Sequence, residues 1–373
     1  LAMKLIEVGP TLYSNASVGE FAEEFHVGEG DLIFSVKVIY DTYLKDVAHG
    51  ARVLLVDDYG TSEPTDEMID AMIRDADLGS VRRVVAVGGG AVMDVAKVVA
   101  CSGGMTVDGI FDHLPNLSRS VGLVLVPTTC GTGSEVTMLA SINRTKLGTK
   151  VGMGCPAMYG DAAVLIPELL LGLPDYVFAT SSIDALCHAV ESILSPNSTP
   201  IVKMFGYEAV RMILSGYRKV VAGGREARNA IMGDFLMAST YAGIAFGTGG
   251  CAAVHALSYQ LGGNYHVAHG ESNYAMFTGV LRKYMEIRSD GEIAALNAFI
   301  AGILECDVAD VYDELEALID RLLPKKALHD YGVTREELPV WAHRVIETQT
   351  RLMRNDFVPL DEAAVLDIFE KLY

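Results

Sequence analysis

The sequence predicts two domains of different class: an N-terminal α/β domain built on a parallel sheet, residues 1–172, and an all-α C-terminal domain, residues 173–373. Three observations predict it. Short, near-continuous apolar runs alternate with helical patterns through the first part of the chain, and such runs suit strands covered on both faces. Around residues 167–174 the alternation stops and helical periodicity takes over. The 373 residues suffice for two domains at the usual span of roughly 100–200 residues each.

Each element has a local reason. The segment 31–40, DLIFSVKVIY, supplies a strand at its start, and residues 53–56 form a second. Residues 64–75 follow as a helix, with Pro64 where it starts, early acids, and Met68, Ile69, Met72 and Ile73 at helical spacing. VRRVVAV (81–87) is the next strand, closed by Gly88, Gly89 and Gly90, and AVMDVAKVVA (91–100) the next helix. VGLVLVP (121–127) is a buried strand. Beyond the boundary, ATSSIDALCHAVESIL (179–194) reads as a strong helix, with Ser181 or Ser182 as its cap and Asp184 in its first turn. Further helical patterns fill 201–222, 226–245, 252–262, 272–288, 292–304, 308–322, 335–354 and 361–372.

Composition narrows the function. Half the residues are hydrophobic, the formal charge is −19, and no run of Lys and Arg appears. That speaks against a nucleic-acid partner, which needs clustered positive charge. The apolar runs are short or broken by Gly and charge, whereas a membrane span needs about 20 residues. The six cysteines, at 101, 130, 155, 187, 251 and 306, form no CxxC pair, which fits reduced thiols. With no basic stretch leading into an apolar core at the start, the expectation is a cytoplasmic protein with no membrane partner.

Two loops point to a phosphate-bearing ligand. Gly88, Gly89 and Gly90 lie between a strand and a helix, where glycine lets the backbone approach a ligand and the helix start offers free N–H groups. GxGxxG is absent. The strand ending at Pro127 runs into Thr128, Thr129, Cys130, Gly131, Thr132, Gly133 and Ser134. Hydroxyls and N–H groups at a strand's carboxyl end suit phosphate, ribose or amide groups, and open α/β sheets bind ligands at that edge. Lys150 lies in a short basic patch able to neutralise a phosphate.

A second constellation suits a metal. Asp184 and His188, four apart, share a helix face. His255, His266 and His269 fall within fifteen residues around Gly262 and Gly263, which are expected to break the helix and fold the segment back. Glu191, one turn past His188, can orient a ligand. One carboxylate with imidazoles suits Fe(II) or Zn(II) rather than magnesium or calcium. Spacing alone does not choose between His266 and His269.

Four stretches, in order, resemble the iron-containing alcohol dehydrogenase family: GGGAVMDVAK (88–97), PTTCGTGSEVT (127–137), DALCHAVES (184–192) and GIAFGTGGCAAVHALSYQLGGNYHVAHGESN (243–273). The resemblance implies the fold shared by dehydroquinate synthase-like proteins and these dehydrogenases: a dinucleotide-binding α/β domain and a helical metal-binding domain. It implies Asp184, His188, His255 and His269 as metal ligands, with His266 lining the substrate cleft. It places Gly88, Gly89 and Gly90 at the pyrophosphate, and Asp94, Thr128, Thr129, Thr132, Ser134 and Lys150 along the cofactor cleft. It implies NAD and a divalent metal, Fe(II) or Zn(II), a small hydroxy acid or aldehyde as substrate, and a homo-oligomer, a dimer. SSIDALCHA, VHALSYQLGGNYHVAHGESNYAMF and the closing KLY are similar to the members that interconvert 4-hydroxybutyrate and succinate semialdehyde; the alternative is another primary alcohol, diol or aldehyde. Arg351, Arg354 and His266 are candidates for a distal carboxylate. The chain departs from the family pattern at Ala91 (commonly Ser), Tyr259 (commonly His), Ala268 (commonly Pro) and Val36. Many NAD-preferring members carry Asp at the position of Val36, so NADP stays open as a second cofactor.

Overall fold

The computed structural model describes residues 4–60, 63–147 and 149–373. The chain divides into two compact units: Val8–Leu173, and Pro174–Tyr373 together with the segment up to Glu7. That segment is tied to the helical unit by the Glu7 N–H donating to Thr248 Oγ1 (3.2 Å) and Thr199 Oγ1 donating to the Leu5 carbonyl (2.6 Å). Nothing in its composition announces this.

The first unit is built on six parallel strands in the order β1-β8-β5-β4-β2-β3. They are β1 (Thr11–Ser14), β2 (Asp31–Ser35), β3 (Arg52–Leu55), β4 (Arg83–Gly88), β5 (Gly122–Pro127) and β8 (Ala162–Leu165). A separate antiparallel pair joins β6 (Leu139–Arg144) to β7 (Thr149–Gly154). The longer helices of this unit are α1 (Val18–Glu24), α2 (Asp66–Ala76), α3 (Gly90–Cys101) and α4 (Val107–His113). Met72 and Ile69 of α2 and Val95, Val98 and Val99 of α3 close the core over Leu32, Phe34, Val84, Ala86, Leu123 and Leu125 of the central strands.

Periodicity finds β2, β4 and β5 because both their faces are buried and apolar, and the edge strand β3 by its apolar 53–55 run. It misses β1, whose four residues are all exposed, and β8, whose AAVL is too short to stand out. It also misses the two-stranded arm, whose alternation is weak. Helix α2 starts two residues after Pro64, because the Thr65 hydroxyl accepts the Met68 N–H and caps it.

The second unit is helical: α5 (Asp175–Leu194), α6 (Pro200–Ala230), α7 (Met232–Gly249), α8 (Ala253–Tyr265), α9 (His269–Ile287), α10 (Glu292–Leu304), α11 (Val311–Asp320), α12 (Glu337–Thr348) and α13 (Glu362–Leu372). Helix α5 packs against α6, α7 and α9. Its start differs from the sequence expectation. Pro174, at φ −56° and ψ 145°, precedes it, and Asp175 occupies its first turn. Ser181 and Ser182 are therefore interior, their hydroxyls donating back to the Phe178 carbonyl (3.3 and 2.8 Å), and Asp184 lies in the third turn. At 20 residues α5 also has the length and apolarity of a membrane span, but 89% of that stretch is buried inside the protein. Helix α6 holds the expected helix 201–222 and runs on across a kink at Gly224 (φ 65°) to Ala230, while the rest of the expected helix 226–245 lies in α7. Gly262 and Gly263 do not break α8: it continues to Tyr265 and reverses at His266, which adopts a left-handed conformation (φ 55°).

Candidate functional site

In the α/β unit, β4 and β5 end side by side, with Gly88 opposite Pro127. The Thr128 N–H donates to the Gly88 carbonyl (3.0 Å), so the glycine and hydroxyl loops leave the sheet together at its carboxyl edge. Gly89 precedes α3 in extended conformation, turning that helix's free N–H groups toward the same edge. The glycines are explained by crowding. A Cβ on Gly88 would sit 2.5 Å from Val92 Cβ, and one on Gly90 2.6 Å from Thr132 Cγ2. At Gly89 the nearest atom is Thr129 Cγ2, at 3.5 Å.

Behind this edge the hydroxyl loop and β6 are clipped to α3. Ser134 Oγ donates to Asp94 Oδ1 (2.6 Å), the Ser141 N–H donates to Asp94 Oδ2 (2.8 Å), and Lys97 Nζ donates to Ser134 Oγ (2.6 Å) and the Leu139 carbonyl (2.8 Å). Burial pushes the Lys97 ammonium down to about 8 against the pull of Asp94 and Glu135. Burial also raises Asp94, against Lys97 and Ser134. Lys97 closes the GGGAVMDVAK stretch, but nothing in its type or spacing shows that it is buried. Lys150 is ion-paired with Glu63 (2.8 Å), and its charge also reaches Asp94.

In the helical unit, α5 carries Asp184, His188 and Glu191 along one face, and α8 and α9 bring His255 and His269 to it. Asp184 Oδ1 lies 3.4 Å from His255 Nε2, 3.5 Å from His269 Nε2 and 3.8 Å from His188 Nε2. Four ligands each about 2.1 Å from a tetrahedral centre stand roughly 3.4 Å apart; Asp184, His255 and His269 bring donor atoms within 4.8 Å of one another, a set that fits a divalent transition metal, with His188 Nε2 on the Asp184 side of it. Glu191 fixes one of them: its Oε2 accepts from His255 Nδ1 (2.5 Å) and its Oε1 from the Val254 N–H (2.6 Å). That fixes Nδ1 as the donor to Glu191 and leaves Nε2 as the atom that faces Asp184. The His188 ring stacks between Phe246 and His255, at centroid distances of 4.4 and 4.6 Å.

The electrostatics match this geometry. Burial alone would raise Asp184, but His188, His269 and His255 outweigh it and hold its carboxyl far below the usual range. Burial pulls His255 down, and Glu191 and Asp184 outweigh it, pushing it up to about 9. One ring nitrogen each of His188 and His255 also falls within 4.8 Å of Cys251 Sγ, a thiol that burial pushes well above its ordinary value.

His266 is not brought to this cluster: it is exposed, at the turn between α8 and α9. Ala268, at φ −54° and ψ 141°, holds the conformation a proline would fix. Tyr259 stands 5.9 Å from the His269 ring. Asn273, with Nδ2 2.8 Å from Asp184 Oδ1, was missed by sequence reasoning; its place four residues after His269 was the available signal.

An edge shaped for phosphate and a buried carboxylate–imidazole cluster define a metal-dependent, nucleotide-linked class of enzyme. Residues 15–167 match the model of the iron-containing alcohol dehydrogenases, and residues 178–373 that of the Fe-containing alcohol dehydrogenase family C-terminal domain. The chain belongs to this family and is an alcohol dehydrogenase. It is 42% identical over 371 residues to the 4-hydroxybutyrate dehydrogenase of Clostridium kluyveri, covering 100% of both chains. It is 33% identical over 320 residues to long-chain-alcohol dehydrogenase 1 of Geobacillus thermodenitrificans, covering 83% of this chain and 78% of that one. Among solved structures, an alcohol dehydrogenase from Oenococcus oeni superposes with a TM-score of 0.85 at 21% identity over 100% of both chains. The sulfoacetaldehyde reductase of Bifidobacterium kashiwanohense, solved with NAD+, gives 0.83 at 23% identity, covering 100% of this chain and 99% of that one.

Proposed function

We propose that this chain interconverts 4-hydroxybutyrate and succinate semialdehyde, with NAD as hydride carrier and Fe(II) or Zn(II) held by Asp184, His188, His255 and His269. The observation that carries the reading is the 42% identity to the Clostridium kluyveri enzyme across the whole of both chains. In oxidation a hydride leaves the hydroxyl-bearing carbon for the nicotinamide, and the hydroxyl proton goes to solvent; reduction reverses both. When bound, the metal supplies Lewis acidity at the substrate oxygen, and the nicotinamide supplies the redox chemistry.

The chain's own groups supply position and field. Glu191 keeps His255 in the tautomer whose Nε2 is free to bind. Gly88, Gly89 and Gly90 leave the start of α3 open to the pyrophosphate, while Asp94, Ser134 and Lys97 hold the 128–134 loop against it. Thr128, Thr129, Thr132 and Lys150 complete the assigned cofactor contacts. For the distal carboxylate we assign Arg351. It is exposed, has no ion-pair partner among the described residues, and its charge acts on Cys251 beside His188 and His255.

The test is NADH and NADPH oxidation by Fe(II)- and Zn(II)-reconstituted enzyme, with succinate semialdehyde beside butyraldehyde at equal concentrations. Strong preference for succinate semialdehyde is expected. Equal rates, or preference for butyraldehyde, refute the substrate and leave an alcohol dehydrogenase of other specificity. Arg351→Met should raise KM for succinate semialdehyde by about 10-fold or more, the scale of one charge-assisted hydrogen bond, and leave butyraldehyde unaffected.

A further inference from the structure

Asn273 lies one helical turn past His269 on α9, so the two side chains share a face. It is fully buried. Its Nδ2 is 2.8 Å from Asp184 Oδ1, 3.3 Å from His255 Nε2 and 3.4 Å from His269 Nε2. Its Oδ1 is buried and makes no hydrogen bond among the described residues. One amide nitrogen therefore caps the triangle of donor atoms formed by Asp184, His255 and His269. Its orientation is dictated chemically: with Oδ1 turned toward Asp184, two acceptors would meet in a buried site. The amide N–H thus donates to Asp184 Oδ1 and stands beside both imidazole nitrogens.

We propose that Asn273 is a positioning residue for the metal: its amide gathers the donor atoms before the cation arrives and holds Asp184 so that a single oxygen faces it. The proposal rests on reading Asp184, His188, His255 and His269 as the ligands. A carboxylate oxygen has lone pairs for an N–H and a cation together, whereas an imidazole Nε2 has only one. The bond to Asp184 is thus the contact that persists when a cation binds. Without it the Asp184 carboxylate would be free to turn and offer both oxygens to a cation.

The experiment is a Co(II) titration of metal-free, full-length enzyme, read by the visible d–d absorption, for wild type, Asn273→Leu, Asn273→Asp and Asp184→Ala. Asn273→Leu should bind cobalt about 10–100-fold more weakly, the scale for losing a hydrogen bond to a metal ligand, with bands weakened as coordination expands. Wild-type affinity and spectrum in Asn273→Leu would overturn the proposal. Should Asn273→Leu fail to fold by circular dichroism, Asn273→Asp keeps the volume and decides: altered bands support the role, and an unchanged spectrum overturns it. If Asp184→Ala binds cobalt like wild type, the ligand assignment itself falls. If Asp184→Ala loses cobalt while Asn273→Leu matches wild type, only the role of Asn273 falls.

Discussion

Replacing Glu191 by Gln changes one atom and removes a charge, yet it should cost about 10–100-fold in metal affinity. The Glu191 carboxylate is buried and accepts two hydrogen bonds, from the Val254 N–H (2.6 Å) and His255 Nδ1 (2.5 Å). A glutamine amide offers one acceptor and one donor. If its oxygen takes Val254, its NH2 faces His255 Nδ1, which must then accept; the ring proton moves to Nε2, the atom that faces Asp184. If its oxygen takes His255, its NH2 opposes the Val254 N–H and leaves a buried donor unpaired. Either arrangement costs about 1–3 kcal/mol, or roughly a factor of 10–100 in a binding constant. The assay is competition with a chromophoric chelator for Zn(II) and Co(II), with thermal unfolding of the metal-free forms as control. A dissociation constant within twofold of wild type, with an unchanged cobalt spectrum, would refute the tautomer argument.

Three further outcomes are expected. In Gly270→Ala the new Cβ falls well inside contact distance of the Thr180 carbonyl on α5; separating α9 from α5 should destabilise the protein by about 1–3 kcal/mol and displace His269, read as a lower denaturant midpoint together with metal loss. Gly90→Ala sets a methyl 2.6 Å from Thr132 Cγ2 and should weaken NADH binding by at least about 10-fold, one steric misfit of roughly 1.4 kcal/mol, with zinc content unaltered; fluorescence titration giving the wild-type dissociation constant would sink the assignment of that loop. Burial, opposed by Tyr284 and reinforced by the charge of Glu191, pushes Asp356 up to about 8. Above the unfolded value of about 4 the folded chain keeps a proton that the unfolded chain has lost. Stability from this group therefore falls by up to about 1.4 kcal/mol per pH unit between about pH 4 and 8. Asp356→Asn should flatten that slope, and parallel stability curves for variant and wild type at about pH 5 and 8 would contradict it.

Much of this was legible in the sequence, for identifiable reasons. Strands β2, β4 and β5 announce themselves because a parallel sheet buried on both faces must be apolar throughout. Asp184 and His188 share a face because helical spacing dictates it. The four imidazole and carboxylate donors fall near one another once α8 and α9 are folded against α5. What stayed hidden depends on tertiary context. The start of α5 turns on Pro174 rather than on the serines, whose hydroxyls are equally able to cap or to bond back within the helix. Gly262 and Gly263 look like a break, but the packing of α8 offsets the roughly 1 kcal/mol each costs in a helix. Lys97 and Asn273 are ordinary helix residues by type; only their burial and partners give them meaning. Neither His266 nor His269 stands out by spacing, and the three-residue interval between them places one in the turn and the other at the head of α9.

The four donors also differ in access. The side chain of His269 is 30% exposed, against 6% for Asp184, 7% for His188 and 2% for His255. It is the first residue of α9, directly after the left-handed turn at His266. A brief fraying of that turn frees one ligand while three stay anchored in the helical interior. How long a metal ion resides would then be governed by a local opening of that turn, far cheaper than unfolding the unit. Chelators should strip the ion along a single route, and a mutation that stiffens the turn should lengthen residence time without tightening equilibrium binding by a matching factor.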